Sequence, residues 1–178
     1  MKQDNPDIYM EKDKASLEQQ VVELLREKGL RITFAESCTG GLLAARLVNV
    51  SGASEVFQAS VVTYSNKSKR KLLGVNKCTL KVFGAVSSQT ATEMAIGAMR
   101  RLGAEVSVSI TGIAGPGGGT EKKPVGLVYI ACNVFGNVTV KECHFSGDRL
   151  DVRMASAEEA LRLVKSCLEL HYAENNSK

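Results

Sequence analysis

Apolar residues recur along this chain with two different spacings, and the switches between them predict its elements. Leu17, Val21, Leu24 and Leu25 stand three and four apart behind Ser16, with Gln19 three residues after that serine. This pattern reads as an amphipathic helix opened by a capping box and stopped by Gly29. Arg31 to Ala35 is a short strand, and a helix from Leu42 to about Asn49 follows it. A turn at Ser51-Gly52-Ala53-Ser54 leads to Ala59–Tyr64, a β-branched run that reads as the second strand. Ser65 or Asn66 caps a helix from Lys67 to Leu73, closed by Gly74, and Leu80 to Gly84 is a short connector. Ser87 or Ser88 caps a helix carrying Met94, Ala95, Ala98, Met99 and Leu102, ended by Gly103. Glu105 to Ile110 is a strand with Val106, Val108 and Ile110 on one face. After the glycine-rich stretch Thr111–Pro124, Val125–Val134 is a nearly continuous apolar strand. Phe135-Gly136-Asn137 reverses the chain, and Val138–Phe145 returns antiparallel. The last helix runs from Arg149 to about Leu170.

Strands that alternate with helices and finish in a hairpin predict an α/β fold. The expected form is a three-layer α/β/α sandwich around a mixed, mostly parallel sheet of about five strands with a C-terminal antiparallel hairpin. Residues 15–172 form one domain between a polar leader at 1–14 and a frayed tail at 173–178. In such sheets ligands bind outside the carboxyl ends of the parallel strands. Three loops converge there: 36–41, 64–69 and 111–124.

Composition trims the alternatives. A chain of 178 residues buries a full core without staples. Its longest apolar runs are too short to span a bilayer, and its first 20 residues are polar, so no membrane partner and no signal peptide are expected. Cys38, Cys78, Cys132, Cys143 and Cys167 form no C-x-x-C pair, which fits reduced thiols and a cytoplasmic location. With two histidines and scattered cysteines, no metal site is expected. A net charge of +4 without a long basic run, 5% aromatics and no Trp predict no direct nucleic-acid binding.

The candidate chemistry centres on Ala35-Glu36-Ser37-Cys38-Thr39-Gly40-Gly41, where a strand hands over to a helix. Such a corner aims the unpaired N–H groups of the first helical turn at one point. Glu36, Ser37 and Thr39 place polar groups there; capping of the helix by Ser37 or Thr39 is the structural alternative. His144 falls in a strand and His171 at a helix end, so a Ser-His-Asp triad does not fit. A nucleophilic Ser37 then needs a lysine base. Lys67, Lys69 and Lys71 follow the second strand, and Lys69 on the first helical turn can point back to the strand ends. Tyr64 can relay or steady a proton. Residues 111–120 match neither a Walker A loop nor G-x-G-x-x-G, and are an anion-binding or a flexible loop. Arg149 and Arg153, four apart at the start of the last helix, serve a bound anion or a salt bridge to Glu36 or Asp148.

Six segments, in order, resemble the C-terminal domain of the CinA (competence/damage-inducible) family. They are Ala35–Gly41, Val62–Asn66 with Lys69, Gly84–Ser87, Ser109–Pro116, Lys123–Gly126 and Gly147–Arg149, and the resemblance spans about residues 16–170. It implies hydrolysis of nicotinamide mononucleotide (NMN) to nicotinic acid mononucleotide and ammonia, in pyridine-nucleotide salvage, with no cofactor. It implies Ser37 as nucleophile, Lys69 as base, Tyr64 in support and a homodimer. With that mechanism, backbone donors at Thr39, Gly40 and Gly41 hold the oxyanion. Glu36, Thr111, Gly112, Gly115, Gly117 and Arg149 bind substrate, Arg149 its phosphate. Cys38 is the rival nucleophile, and the resemblance makes it a packing residue. Longer family members carry an N-terminal molybdopterin-binding-like domain, and residues 7–18 resemble the junction after it. The alternative function is a non-catalytic nucleotide-sensing module associated with competence or DNA damage.

Overall fold

A computed structural model describes residues 15–175; the expected leader at 1–14 and residues 176–178 lie outside the described residues. The elements are α1 (Leu17–Glu27), β1 (Ile32–Glu36), α2 (Leu42–Leu47), β2 (Phe57–Val62), α3 (Asn66–Leu73), α4 (Lys77–Val82), α5 (Ser88–Leu102), β3 (Val106–Gly112), β4 (Leu127–Val134), β5 (Asn137–His144) and α6 (Arg149–Asn175). One five-stranded sheet runs in the order β2-β1-β3-β4-β5. The first three strands are parallel, and β4 and β5 are antiparallel additions. The apolar strand β4 is therefore interior, and β5 is the edge on that side.

Period-two alternation separates the two faces of the sheet. Ile32 and Phe34 of β1 and Val106, Val108 and Ile110 of β3 enter one core with α1, α2 and α6. The opposite face of β3 is polar yet fully buried. Ser107 donates to Ala95 O at 2.7 Å, Ser109 to Ala91 O at 2.6 Å and Thr111 to Ala85 O at 2.7 Å. These small side chains let α5 approach closely while satisfying their own hydroxyls. Behind α5, Leu73 and Val75 pack on Met94 and Ala98, which fixes α3 against it.

Three sequence expectations shift. The connector at 80–84 is partly helical, because Asn76 caps α4 through a bond from Cys78 N. The second strand begins at Phe57 and ends at Val62, two residues early, since Thr63 and Tyr64 turn into the cap of α3. The last helix continues to Asn175, so 173–175 are helical rather than frayed. The capping box at Ser16 and Gln19 forms as read. Among the described residues no helix is long and apolar enough to cross a membrane.

Candidate active site

Register brings the site together. Glu36 at the end of β1 pairs with Val62 of β2 and Ile110 of β3, so the three parallel strands finish at one edge. Loops 37–41, 63–65 and 113–126 leave from there. With the α4–α5 connector they enclose a cleft of about 260 Å³ lined by Ser37, Cys38, Tyr64, Lys69, Thr111, Gly115 and Arg149, among others. Larger hollows flank α3. They hold no hydroxyl beside a base, so the chemistry lies in the smaller cleft.

Lys69 is the fourth residue of α3. Ser65 caps that helix by accepting from Ser68 N, and Ser68 answers the Ser65 N–H. Helical side chains lean toward the N-terminus, so a first-turn lysine reaches back over the cap. Lys69 Nζ lies 2.7 Å from Ser37 Oγ and 2.7 Å from Thr63 O. The side chain is 1% exposed and that of Ser37 8%. Burial lowers the Lys69 pKa to about 8, with the neighbouring Cys38 sulfur acting in the opposite sense. Nζ donates to both oxygens; once deprotonated, it keeps an N–H on Thr63 O and turns its lone pair to the Ser37 hydroxyl. Lys67 and Lys71 are exposed on the outer side of the helix.

Cys38 sits beside this pair without resembling it. Its side chain belongs to the core under α2, and burial raises its pKa to about 11. It stays a neutral thiol where Lys69 begins to lose its proton.

The corner itself is built differently from its sequence reading. Neither Ser37 nor Thr39 caps α2; the cap position is Gly41, which has no side chain to offer. Glu36 supplies the acceptors from inside the protein. Its Oε2 accepts from Gly41 N at 2.9 Å and Leu43 N at 3.1 Å, and its Oε1 from Ala44 N at 3.0 Å. Glu36 is 0% exposed, so it holds the helix and not a ligand. The Gly41 N–H is thereby occupied, and Gly40 N donates to Ser37 O at 3.1 Å. Two of the three expected backbone donors are spent. The N–H groups of Cys38 and Thr39 bond no carbonyl or carboxylate among the described residues and are directed at the Cys38 sulfur, where they favour the thiolate against the effect of burial. The Thr39 hydroxyl is buried without a partner among them.

The two arginines tie loops rather than acids. Arg149 donates to Gly115 O and to the Tyr64 hydroxyl, each at 2.7 Å. Arg153 donates from Nε and Nη2 to Thr39 O, at 3.2 and 2.8 Å. Neither meets Glu36 or Asp148. Tyr64 is thus held at the cleft's mouth by Arg149, with no bond to Ser37 or Lys69. Thr111 lines the cleft, though its hydroxyl is engaged with Ala85 O. Gly112 permits close packing of β3 on β4, since a Cβ there would lie 2.8 Å from Leu127 O. Gly115 takes a positive φ of 80°, which turns its carbonyl to Arg149. Gly117 has open space around it. Lys123 joins two walls of the cleft, donating to Phe83 O and Val86 O at 2.6 Å each. Its place in the Lys123–Gly126 segment was its only sequence signal.

Fold and site together define a three-layer α/β/α domain with a buried serine–lysine pair at the carboxyl edge of its parallel strands. A model of the CinA C-terminal domain matches residues 14–168, and the chain belongs to that family. It is 53% identical over 153 residues to a CinA-like protein of Kosmotoga olearia, covering 86% of this chain and 37% of the relative. A CinA-like protein of Dictyoglomus turgidum is 51% identical over 158 residues, covering 89% and 38%. The chain therefore spans less than two fifths of the length of these curated relatives. Among solved structures, a CinA superfamily protein of Klebsiella pneumoniae superposes with a TM-score of 0.84 at 36% identity, covering 86% of this chain and 96% of that one. The competence/damage inducible protein CihA of Agrobacterium tumefaciens does so with 0.76 at 42%, covering 91% and 97%.

Proposed function

We propose that this domain hydrolyses the carboxamide of nicotinamide mononucleotide, giving nicotinic acid mononucleotide and ammonia, by covalent catalysis at Ser37. The observation that carries the reading is the 2.7 Å approach of a buried, low-pKa lysine to a serine hydroxyl at the strand edge. At pH 7 a lysine with a pKa near 8 is neutral in roughly one molecule in ten, against about one in three thousand for an unperturbed side chain. Neutral Lys69 takes the Ser37 proton as the oxygen attacks the amide carbon. The resulting oxyanion takes its donors from the N–H groups of Cys38 and Thr39, which bond no carbonyl once Glu36 and Ser37 O have engaged Gly41 and Gly40 and which turn from the Cys38 sulfur to the substrate. One such donor contributes roughly 3 kcal/mol to the transition state. Protonated Lys69 returns its proton to the departing ammonia, and water then cleaves the acyl ester with Lys69 as base again. Arg149 uses two of its five N–H donors on Gly115 and Tyr64, which leaves the rest of its fork for the substrate phosphate. Gripped there, the nucleotide presents its amide in line with Ser37.

The test is ammonia release from NMN by the wild type and by Ser37→Ala, Lys69→Ala and Cys38→Ala. Release by the wild type and Cys38→Ala, with loss of at least 10³-fold in the other two, supports the reading. An NMN-binding wild type that releases no ammonia leaves a nucleotide-sensing module instead.

A further inference from the structure

The overall charge of +4 conceals a segregation. Residues 63–104 carry eight Lys or Arg and one Glu, whereas the rest of the chain carries fifteen against eighteen Asp or Glu. The basic segment is the layer formed by α3, α4 and α5. Lys67, Arg70, Lys71, Lys77, Arg100 and Arg101 are all exposed there. None of them joins the nine ion pairs among the described residues, every one of which lies outside this segment. The lone acid, Glu93, is engaged internally, accepting from Asn76 N at 2.7 Å and Thr79 Oγ1 at 2.5 Å.

These cations converge on concave surface. A hollow of about 550 Å³ is lined by Lys67, Arg70, Lys71, Lys77 and a single apolar residue, Val75. Beyond Gly74, a second hollow of about 540 Å³ opens between α3 and α5, with Arg100 and Arg101 on its wall beside Glu93, Leu73 and Ile96. Arg101 leans over the end of α3, its Nη2 3.2 Å from where a Cβ on Gly74 would stand. The two hollows share no lining residue but adjoin in sequence, Gly74 lining one and Val75 the other, and both lie outside the cleft that holds Ser37.

Four like charges around one hollow, with no acid among them, create a strong local positive potential. An acidic protein surface is the competing occupant: protein interfaces are anchored by apolar and aromatic side chains, and the lysine-lined hollow offers only Val75, although Leu72, Val82 and Phe83 are exposed on α3 and at the end of α4. Nucleic-acid interfaces are polar and strongly positive. Neither hollow is lined by an aromatic on which unpaired bases could stack, and Phe83 at the end of α4 is a lone exposed ring, which favours a duplex over a single strand. Lys67 and Lys71 stand about one helical turn, roughly 6 Å, apart along α3, an array suited to phosphates in series. We propose that the outer face of α3, α4 and the end of α5 is a sequence-independent binding surface for the phosphodiester backbone of double-stranded nucleic acid. The expectation of no nucleic-acid binding rested on the modest net charge, the lack of a long basic run and the few aromatics; the fold gathers the positive charge of residues 63–104 into one layer.

The test is fluorescence anisotropy of the full chain with a labelled duplex of about 20 base pairs of mixed sequence. The four cations of the first hollow alone predict a log–log salt slope of about −3.6, and Arg100 and Arg101 steepen it, so binding weakens about 150-fold or more between 50 and 200 mM salt. Lys67→Glu with Lys71→Glu should lower the slope by about two and weaken binding more than tenfold at 50 mM. Arg100→Glu with Arg101→Glu is an independent variant with the same expected direction. Lys141→Glu with Lys165→Glu, on β5 and α6, should leave affinity unchanged. Three results overturn the proposal: no binding at 50 mM, equal loss in the β5–α6 variant, or competition by polyglutamate as strong as by the duplex. Ammonia release from NMN by the same variants is read separately, so this proposal and the amidase reading fail independently.

Discussion

Replacing Glu36 by glutamine exchanges one oxygen for an NH₂ and should cost the fold about as much as a core truncation. The carboxylate accepts from three backbone N–H groups at the start of α2. In Glu36→Gln the amide carbonyl oxygen can keep the pair from Gly41 and Leu43, but the NH₂ then faces the Ala44 N–H, donor against donor. A hydrogen bond to a charged group contributes roughly 1.5–3 kcal/mol, and a buried donor left unpaired costs about 1–3 kcal/mol. Loss of the anion at the helix N-terminus adds a few tenths. We expect destabilisation of about 3 kcal/mol, a fall in Tm of roughly 6–12 °C for a domain of this size. Urea denaturation followed by circular dichroism measures it. Glu36→Asp retains the charge but is one methylene shorter, and its stability should fall between that of Glu36→Gln and the wild type. A Glu36→Gln variant within 0.5 kcal/mol of wild type would refute the claim that this carboxylate organises the corner next to Ser37.

Three further outcomes are expected. Gly97→Ala should destabilise by about 2–3 kcal/mol, measured by the same denaturation, because its Cβ would lie 2.0 Å from Leu73 O and must push α3 off α5. Lys69→Met should alter the pH dependence of stability. With a folded pKa near 8 and an unfolded value near 10.4, the unfolded chain binds more protons across that window. Wild-type stability relative to Lys69→Met should therefore rise by about 3 kcal/mol from pH 7.5 to 10.5 and be flat below, in denaturation curves taken at each pH. Arg153→Met should free the Thr39 carbonyl and lower kcat for ammonia release about tenfold with little change in KM, while Arg153→Lys restores part of it.

The parts of the fold that follow from spacing were legible. Strict alternation in β3 and three-four spacing in α1 and α5 left little choice of element. Spacing alone left Lys67, Lys69 and Lys71 open, and the family resemblance picked Lys69; the signal it did not use was Leu73, four residues on, which marks the inward face of α3. The Glu36 cap was missed because a carboxylate next to Ser37 reads equally as a ligand group. The signal was present: a helix that opens on Gly41 supplies no acceptor of its own and needs one from elsewhere. The helix α4 was missed because six residues carry too little periodicity, although Asn76 marked its start. The pairing of Arg149 with Tyr64 across 85 positions depends on tertiary geometry that no local pattern encodes.

The central claim, a serine activated by a neutral lysine, can be measured without assuming a substrate. A fluorophosphonate reagent labels activated serines, and peptide mass mapping locates the label. The account predicts labelling at Ser37, at a rate that climbs nearly tenfold per pH unit below 8 and levels off above it, following the Lys69 amine. It also predicts loss of labelling in Lys69→Met and its survival in Cys38→Ala. Labelling that bypasses Ser37, or a Ser37 rate indifferent to Lys69→Met, would contradict it.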